Sequence, residues 1–598
     1  MTGSLSMQPN NDTDGIAEKF GSRNAEVQFA IRLVALLVVG TFATNAFRLV
    51  RKIESSVFEE PWMLAGTLGQ FWGMGMFTIA VASLCMLLSR RWSSVEQWHS
   101  LRWVVIPTIA IFTWCYSTYD FNFFLQQQHL IDRSSLVLLG LASIWRPAFL
   151  GAFLFQLGTI LAHLGHPLPF SWTDKSPLID ILVVANVFLL GWRFRIWRSE
   201  HFLIVVVYIV AIHYFRPGVG KLAIGWFSDG HLSNLFLNAV YQNEWLPGCG
   251  TAEVSLLAKR IASADYLLKA MTLLVELLPL LFLLHRKVLI VGLVLAVGLH
   301  FGIYLSSGIL FWKWIVLDFS IAVTFGTLSK TTADRLFNRN SAIGFGISLC
   351  VGFVLYVSAP VLAWYDAPLA FHYHLQVTGA SGQTYQIPPS SLAPFDLQFA
   401  QGRLAFLEKQ PLLVDCLGSC TSRPTLYACR DIDSAVRLAK ARDKFGVKRF
   451  DKMQATNVEQ LLRRYVNNWN HGVPRNVFDW IPDPPQHIST FPQSGFSQAV
   501  WNCQEAPKQI TILRTTAFHR DFKTTTIEDR IVHTIDVATP PQSTRLPFRG
   551  QPLNCPTINL VTNRNEGGTI AGATPSTYTV YCLGSPNLRE FFMEPAGD

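Results

Sequence analysis

HFLIVVVYIVAIHYFRPGVGKLAIGWFSDG, residues 201–230, decides what kind of chain this is. Its first half, 201–215, is an apolar run broken only by His201 and His213. A run of that kind reads as a membrane-spanning helix, because backbone N–H and C=O groups cannot stay unpaired in hydrocarbon. The second half holds three glycines and one lysine, Lys221, ahead of Trp226. Lys221 falls where the helix leaves the membrane. It reads either as a lysine snorkelling to the interface beside aromatic residues or as a desolvated amine able to act as a base.

The rest of the chain agrees with the apolar reading. Of its 598 residues 50% are hydrophobic and only 15% are charged, against about 25% charged in ordinary soluble domains. Apolar runs fill residues 27–364, with candidate spans near 27–47, 63–88, 103–119, 134–163, 178–195, 201–215, 266–285, 288–305, 312–328 and 341–363. Trp145-Arg146-Pro147 interrupts 134–163, which therefore reads as a hairpin of two short helices. The expected fold is a multi-pass α-helical membrane protein of about nine or ten helices over 27–364. A polar, disordered tail (1–26) precedes it, and an α+β, β-rich extracytoplasmic domain (365–598) follows. No cleavable signal peptide is visible, so the first apolar segment acts as the insertion signal.

Basic residues orient the helices. Arg90, Arg91 and Arg102, then Arg193, Arg195 and Arg198, then Arg286 and Lys287, then Lys330, Arg335 and Arg339 all fall on one side, the cytoplasm, when 134–163 is a hairpin. The N-terminus is then cytoplasmic, and both 216–265 and the C-terminal domain face the other compartment. Arg48, Arg51 and Lys52 break the rule. The net charge of +9 is spread over loops, not gathered into a Lys/Arg run. It points to membrane lipids and away from nucleic acid.

Six cysteines, Cys416, Cys420, Cys429, Cys503, Cys555 and Cys582, sit in the C-terminal domain. An even number facing an oxidising compartment points to disulfides. A metal site is the alternative, since Cys416 and Cys420 have tolerable zinc-ligand spacing, but no second close pair accompanies them and no metal is predicted. Within that domain, residues 430–470 carry helical periodicity through Ile432, Val436, Leu438, Val458, Leu461, Leu462 and Tyr465. Gln509–Leu513, Ile531–Val537, Thr557–Val561 and Thr577–Cys582 read as strands. His372 and His374 would share one strand face.

Ionisable residues inside apolar segments are costly, so each needs a polar cavity or a partner. Glu276 and His300 are the most pointed cases, and Asp318 is a third. His129 occupies a loop, where an interfacial histidine is the ordinary reading. No Walker A sequence, Gly-x-Ser-x-Gly or His-Glu-x-x-His is present.

Taken together, Tyr214-Phe215, then Gly218-x-x-Lys221-Leu222-x-x-x-Trp226, then Glu276-x-x-Pro279, and His300 ahead of Gly308-Ile-Leu-Phe311 resemble the HTTM (horizontally transferred transmembrane) superfamily. That superfamily includes the vitamin K-dependent gamma-glutamyl carboxylases. The resemblance covers roughly residues 27–330, with the loop ending in His129 similar to the carboxylases' Asn/His loop. Gly220 stands where the carboxylases carry a first lysine, and the glycine after Trp226 comes one residue late, at Gly230. The resemblance implies a carboxylase that uses reduced vitamin K (the hydroquinone), oxygen and carbon dioxide to modify Glu side chains of a peptide or protein. Lys221 would be the base, with His129 and His300 also catalytic. Trp226, Glu276 and Tyr214 would line the cofactor site. The external domain would recognise the peptide. The alternative is a non-enzymatic HTTM membrane protein that serves in the binding of a peptide or partner, or in its maturation. A transporter would favour repeated halves with broken helices, and no such repeat is visible.

Overall fold

A computed structural model describes residues 12–48, 95–124, 130–165, 168, 174–229, 231–355, 368–415, 420, 422–447, 449–478, 480–490, 500–501 and 505–537. The predicted span 63–88, His129, Cys416, Cys503, Cys555, Cys582 and the predicted strands at 557–561 and 577–582 lie outside these residues.

Helices fill the described part of the first 355 residues. In order they are α1 (Asp12–Arg48), α2 (Val95–Thr118), α3 (Phe121–Phe124), α4 (Leu130–Trp145), α5 (Leu150–Gly165), α6 (Ser176–Arg193), α7 (Ser199–Ala223), α8 (Trp226–Asp229), α9 (Leu232–Asn243), α10 (Thr251–Ser263), α11 (Asp265–Leu277), α12 (Arg286–Ser307), α13 (Trp312–Gly326), α14 (Lys330–Leu336) and α15 (Arg339–Leu355). Among the described residues four helices are long and apolar enough to cross a membrane: Glu26–Arg48, α6, α7 and α12. Pro147–Ala162 and Ser341–Gly352 are apolar but shorter. The stretch 134–163 does break at Arg146-Pro147 into α4 and α5, which pack against each other. One boundary differs from the sequence expectation. Helix α1 starts at Asp12, so residues 12–26, read from their polarity as a disordered tail, continue the first apolar helix towards the N-terminus.

Arg48, an exception to the charge rule, has a structural explanation. Its guanidinium donates to both carboxylate oxygens of Asp180, at 2.8 and 2.7 Å, and to the Ser176 hydroxyl at 3.1 Å. The charge is thereby used to fasten α1 to α6 and no longer reports only on topology.

The C-terminal unit is α+β. Strands β1 (Leu369–Gly379), β2 (Thr384–Ile387), β3 (Pro507–Arg520) and β4 (Lys523–Asp536) form one antiparallel sheet in the order β2-β1-β3-β4. Asp521 and Phe522, at φ 50° and 60°, make the two-residue turn between β3 and β4. Two consecutive left-handed residues give the turn twist that matches the twist of paired strands. Strand β1 alternates apolar and polar residues from Phe371 to Thr378, yet it is buried along nearly its full length, on both faces. Helix α9 packs on β1 and β4, and helix 452–470 packs on β3. That last helix (Lys452–Asn470) starts at Asp451, whose carboxylate accepts from the amides of Met453 and Gln454. It buries Val458, Leu461, Leu462, Tyr465 and Val466, the apolar stripe its sequence predicts. Cys420 and Cys429 are buried in this unit, and no disulfide joins two described cysteines.

The helical and C-terminal parts share one hydrophobic core. Phe123 of α3 meets Tyr465 edge-on and Phe124 stacks on it, with ring centroids 5.5 and 5.3 Å apart. Around them, Arg475 forks onto Asp120 at 2.8 and 3.0 Å. The indoles of Trp114 and Trp312 each donate at 2.7 Å to backbone carbonyls, of Pro482 and Pro485.

Candidate functional site

Helix α7 carries the site. Tyr214, Gly218 and Lys221 recur at spacings of four and three, which places them on one helical face over two turns, about 10 Å of axis. Tyr214 and Lys221 are buried.

At the lower end of that face, the Lys221 ammonium pairs with the Glu276 carboxylate on α11. The two side chains are only 8% and 9% exposed, so water screens the pair little. The same nitrogen lies 5.4 Å from the centre of the Trp226 ring, which is itself buried. Gly218 is what lets the two helices close on each other. A Cβ there would sit 3.0 Å from Glu276 Cβ and 3.2 Å from Leu277 Cδ2. The Gly-x-x-Lys spacing therefore has a packing reason: the glycine admits α11, and the lysine one turn later meets the acid that α11 carries.

At the other end, Tyr214 joins His300 of α12 to Asp318 of α13. The Tyr214 hydroxyl donates to Asp318 Oδ2 at 2.5 Å and lies 2.7 Å from His300 Nε2. With its proton committed to Asp318, the phenolic oxygen accepts from His300 Nε2–H. Nδ1 is then the ring's acceptor nitrogen. All three side chains are buried. Phe311 and Trp314 enclose the imidazole at ring distances of 4.8 and 5.8 Å.

Gly308 builds this end. It caps α12 with φ +70°, and a Cβ there would lie 2.7 Å from the Trp245 ring. A left-handed residue with no side chain is needed for the chain to turn back and bring Phe311 over His300. The C-terminal unit holds that turn from outside. Leu310 N–H donates to the His487 carbonyl at 2.7 Å, Ser489 N–H to the Gly308 carbonyl at 3.0 Å, and the His487 ring meets Phe311 at 4.6 Å.

Several buried polar atoms here have no hydrogen-bond partner among the described residues: Glu276 Oε2, His300 Nδ1, Trp314 Nε1 and Asp318 Oδ1. Two acids, an acceptor imidazole and an indole donor with unspent capacity, set among aromatic rings, suit a flat apolar ligand that carries hydroxyl or carbonyl groups. Such a set can hold a hydroxyl, take its proton and steady the resulting anion.

Five of the six sequence-predicted site residues are thus gathered along α7 and its neighbours: Lys221, Trp226, Glu276, Tyr214 and His300. His129 lies outside the described residues. Asp318, a weaker sequence candidate, is hydrogen-bonded directly to Tyr214. Sequence reading misses a second buried charge group. Asp174 Oδ1 lies 3.1 Å from Lys175 Nζ, and its Oδ2 lies 2.5 Å from Lys313 Nζ, with all three buried. The signal was present in Trp312-Lys313-Trp314, a lysine inside an apolar aromatic run. His372 and His374 do share β1, with rings 4.4 Å apart, and both are buried. Burial holds His374 down at about 4 and His372 well below the usual histidine range, so both stay neutral at physiological pH. No group of three or more metal-ligating side chains occurs among the described residues. Set against known proteins, the chain matches no family model, no curated protein and no solved structure.

Proposed function

We propose that this chain is a membrane enzyme of the vitamin K-dependent carboxylase type, acting on a reduced quinone through the α7 face. The observation that carries this reading is the pairing of Lys221 with Glu276 beside Trp226, two turns from the Tyr214–His300–Asp318 chain. Residues chosen from sequence, on four separate segments, meet on one helix face. The unspent polar atoms among aromatic rings fit a hydroquinone.

Reduced vitamin K would supply, together with oxygen, a base strong enough to remove a carbon-bound proton from a Glu side chain for capture by carbon dioxide. The chain's own groups do simpler work. Transfer of the ammonium proton from Lys221 to Glu276 leaves a neutral amine, the form a general base requires. Trp226 and the α7–α11 contact keep water from that amine. His300 Nδ1 accepts a hydrogen bond from the ligand, and Tyr214 with Asp318 fixes the imidazole so that this nitrogen stays an acceptor. The Glu-bearing peptide or protein substrate would be bound by the C-terminal unit. That unit belongs to the extracytoplasmic side in this reading, and the N-terminus to the cytoplasm. Use of Arg48 in the Asp180 pair removes one exception to that orientation.

The test is formation of quinone epoxide by purified protein in lipid with reduced vitamin K, oxygen and bicarbonate, which needs no knowledge of the peptide. Wild type forms epoxide and Lys221→Ala does not. Absence of epoxide from folded wild type that binds the hydroquinone rejects the reading and favours the non-enzymatic alternative.

A further inference from the structure

Arg133 presents a different chemical problem, on helices that do not carry the α7 face. It stands in the first turn of α4 and its side chain is fully buried. The guanidinium lies over the Phe121 ring, 4.1 Å from its centre. Stacking of that kind uses the face of the group and leaves its edge, where every N–H points, unspent. Nε, Nη1 and Nη2 all lack a hydrogen-bond partner among the described residues. The adjacent Asp132 carboxylate is 3.7 Å from Nη1, near enough to offset charge but beyond hydrogen-bond distance.

Arginine cannot relieve this situation by giving up a proton, because its guanidinium stays charged in proteins. A buried cation with five unused donors is costly. The same cost makes an acceptor bind strongly when one arrives.

The Tyr116 hydroxyl on α2 adds a second unspent donor. It is buried and has no partner among the described residues, and α2 packs against α4, the helix that carries Arg133. Phe112 and Tyr119 pack on the Tyr116 ring at 6.0 and 5.4 Å, so the hydroxyl sits in an aromatic wall. Phe121, which shelves the guanidinium, belongs to α3, and Phe123 and Phe124 of the same helix pack against Tyr465. The C-terminal unit therefore fixes the platform on which Arg133 rests.

We propose that Arg133, resting on Phe121 and with Tyr116 on the helix packed against its own, anchors a buried site for the carboxylate of an organic ligand. The planar edge of a guanidinium matches the two oxygens of a carboxylate, and the tyrosine hydroxyl supplies a further donor. The surrounding aromatic rings favour an organic carboxylate over a free inorganic ion. The carboxylate comes either from a fatty acid that enters through the bilayer or from an acidic side chain of a peptide.

The two sources separate in one experiment on the full chain in nanodiscs. Binding of octanoate and of N-acetylglutamate α-amide is measured by calorimetry, with octanol as the uncharged control. Wild type binds one of the two carboxylates saturably and binds octanol at least about tenfold more weakly, the difference a charge-assisted hydrogen bond makes. Octanoate as the ligand assigns the site to a lipid-derived acid, and the glutamate amide assigns it to a peptide. Arg133→Gln loses binding by about tenfold or more, and Arg133→Lys, which keeps charge but not the fork, falls between. Should Arg133→Gln fail to fold, Tyr116→Phe decides, with a severalfold loss expected from an isosteric change. Wild type that binds neither carboxylate, or binding unchanged in the folded variants, overturns the proposal.

Discussion

Replacing Glu276 by Leu probes the Lys221 pair most informatively. The variant leaves a buried ammonium without that counter-charge. With side chains 8% and 9% exposed, the pair belongs with buried ion pairs, not with surface ones. Breaking a buried pair by removal of one partner costs about 3–5 kcal/mol, which is roughly two to four powers of ten in the folding equilibrium. A surface pair would cost about 0–1 kcal/mol. Replacing both partners, Lys221→Met with Glu276→Leu, removes the charges together and returns stability to near the wild-type value or above it. The assay is reversible unfolding in mixed micelles, followed by tryptophan fluorescence for wild type, both single variants and the double variant. A coupling of several kcal/mol between the two positions is the expected result. A Glu276→Leu cost under about 1 kcal/mol, or a double variant as unstable as the worse single one, would show that the pair is not buried as described.

Other predictions follow from the same geometry. Gly218→Leu drives a side chain into Glu276 and Leu277 and destabilises the protein by about 1–3 kcal/mol, while Gly220→Ala, with nothing within 4 Å of its Cβ, is neutral or stabilising by up to about 1 kcal/mol; thermal unfolding of the two variants checks the opposite signs. Gly308→Ala combines the positive φ with contact against Trp245 and costs about 1–3 kcal/mol, and the quenching of tryptophan fluorescence changes as the Trp245 packing is lost. Glu528 is pulled from 4.5 to about 2, chiefly by its hydrogen bonds from Arg442, with Arg514 and Arg530 adding to it. A lowered carboxyl pKa adds stability that is present above the unfolded value and lost as pH falls from about 4.5 towards 2. Pepsin should therefore begin to cut 507–536 only as pH falls through that window, and Glu528→Gln should be cut already at its upper end.

The parts legible in sequence are those whose cause is local. An apolar run long enough to cross a membrane needs no partner to be recognised, which is why α6, α7 and α12 stand out. Glu276 and His300 were visible because each is an ionisable group in an apolar segment, and such groups need partners, whereas Lys221 stood out through its glycine-rich motif. Their partners were less visible. Tyr214 and Asp318 are 104 residues apart, and nothing in the spacing reports that contact. The start of α1 at Asp12 was hidden because polar composition reads as disorder unless a helix continues into it. Arg48 stands as an exception to the charge rule in the sequence, where nothing reports its pairing with Asp180, 132 residues away. Arg133 became apparent only from burial, and of the Asp174–Lys175–Lys313 group only Lys313 carried a signal in the sequence. The docking of the C-terminal unit on Gly308–Phe311 joins residues far apart in the chain, a long-range fact that periodicity does not carry.

The most direct test of the α7 face as a quinone site is photolabelling. A photoreactive naphthoquinone would be illuminated with the full protein in lipid, and the labelled peptides mapped by mass spectrometry. A quinone bound on this face labels 209–226 and 296–318, and the labels are competed away by excess vitamin K and sharply reduced in Lys221→Ala or His300→Ala. Labels confined to other helices, or labels on α7 that excess vitamin K leaves unchanged, would contradict a quinone site there.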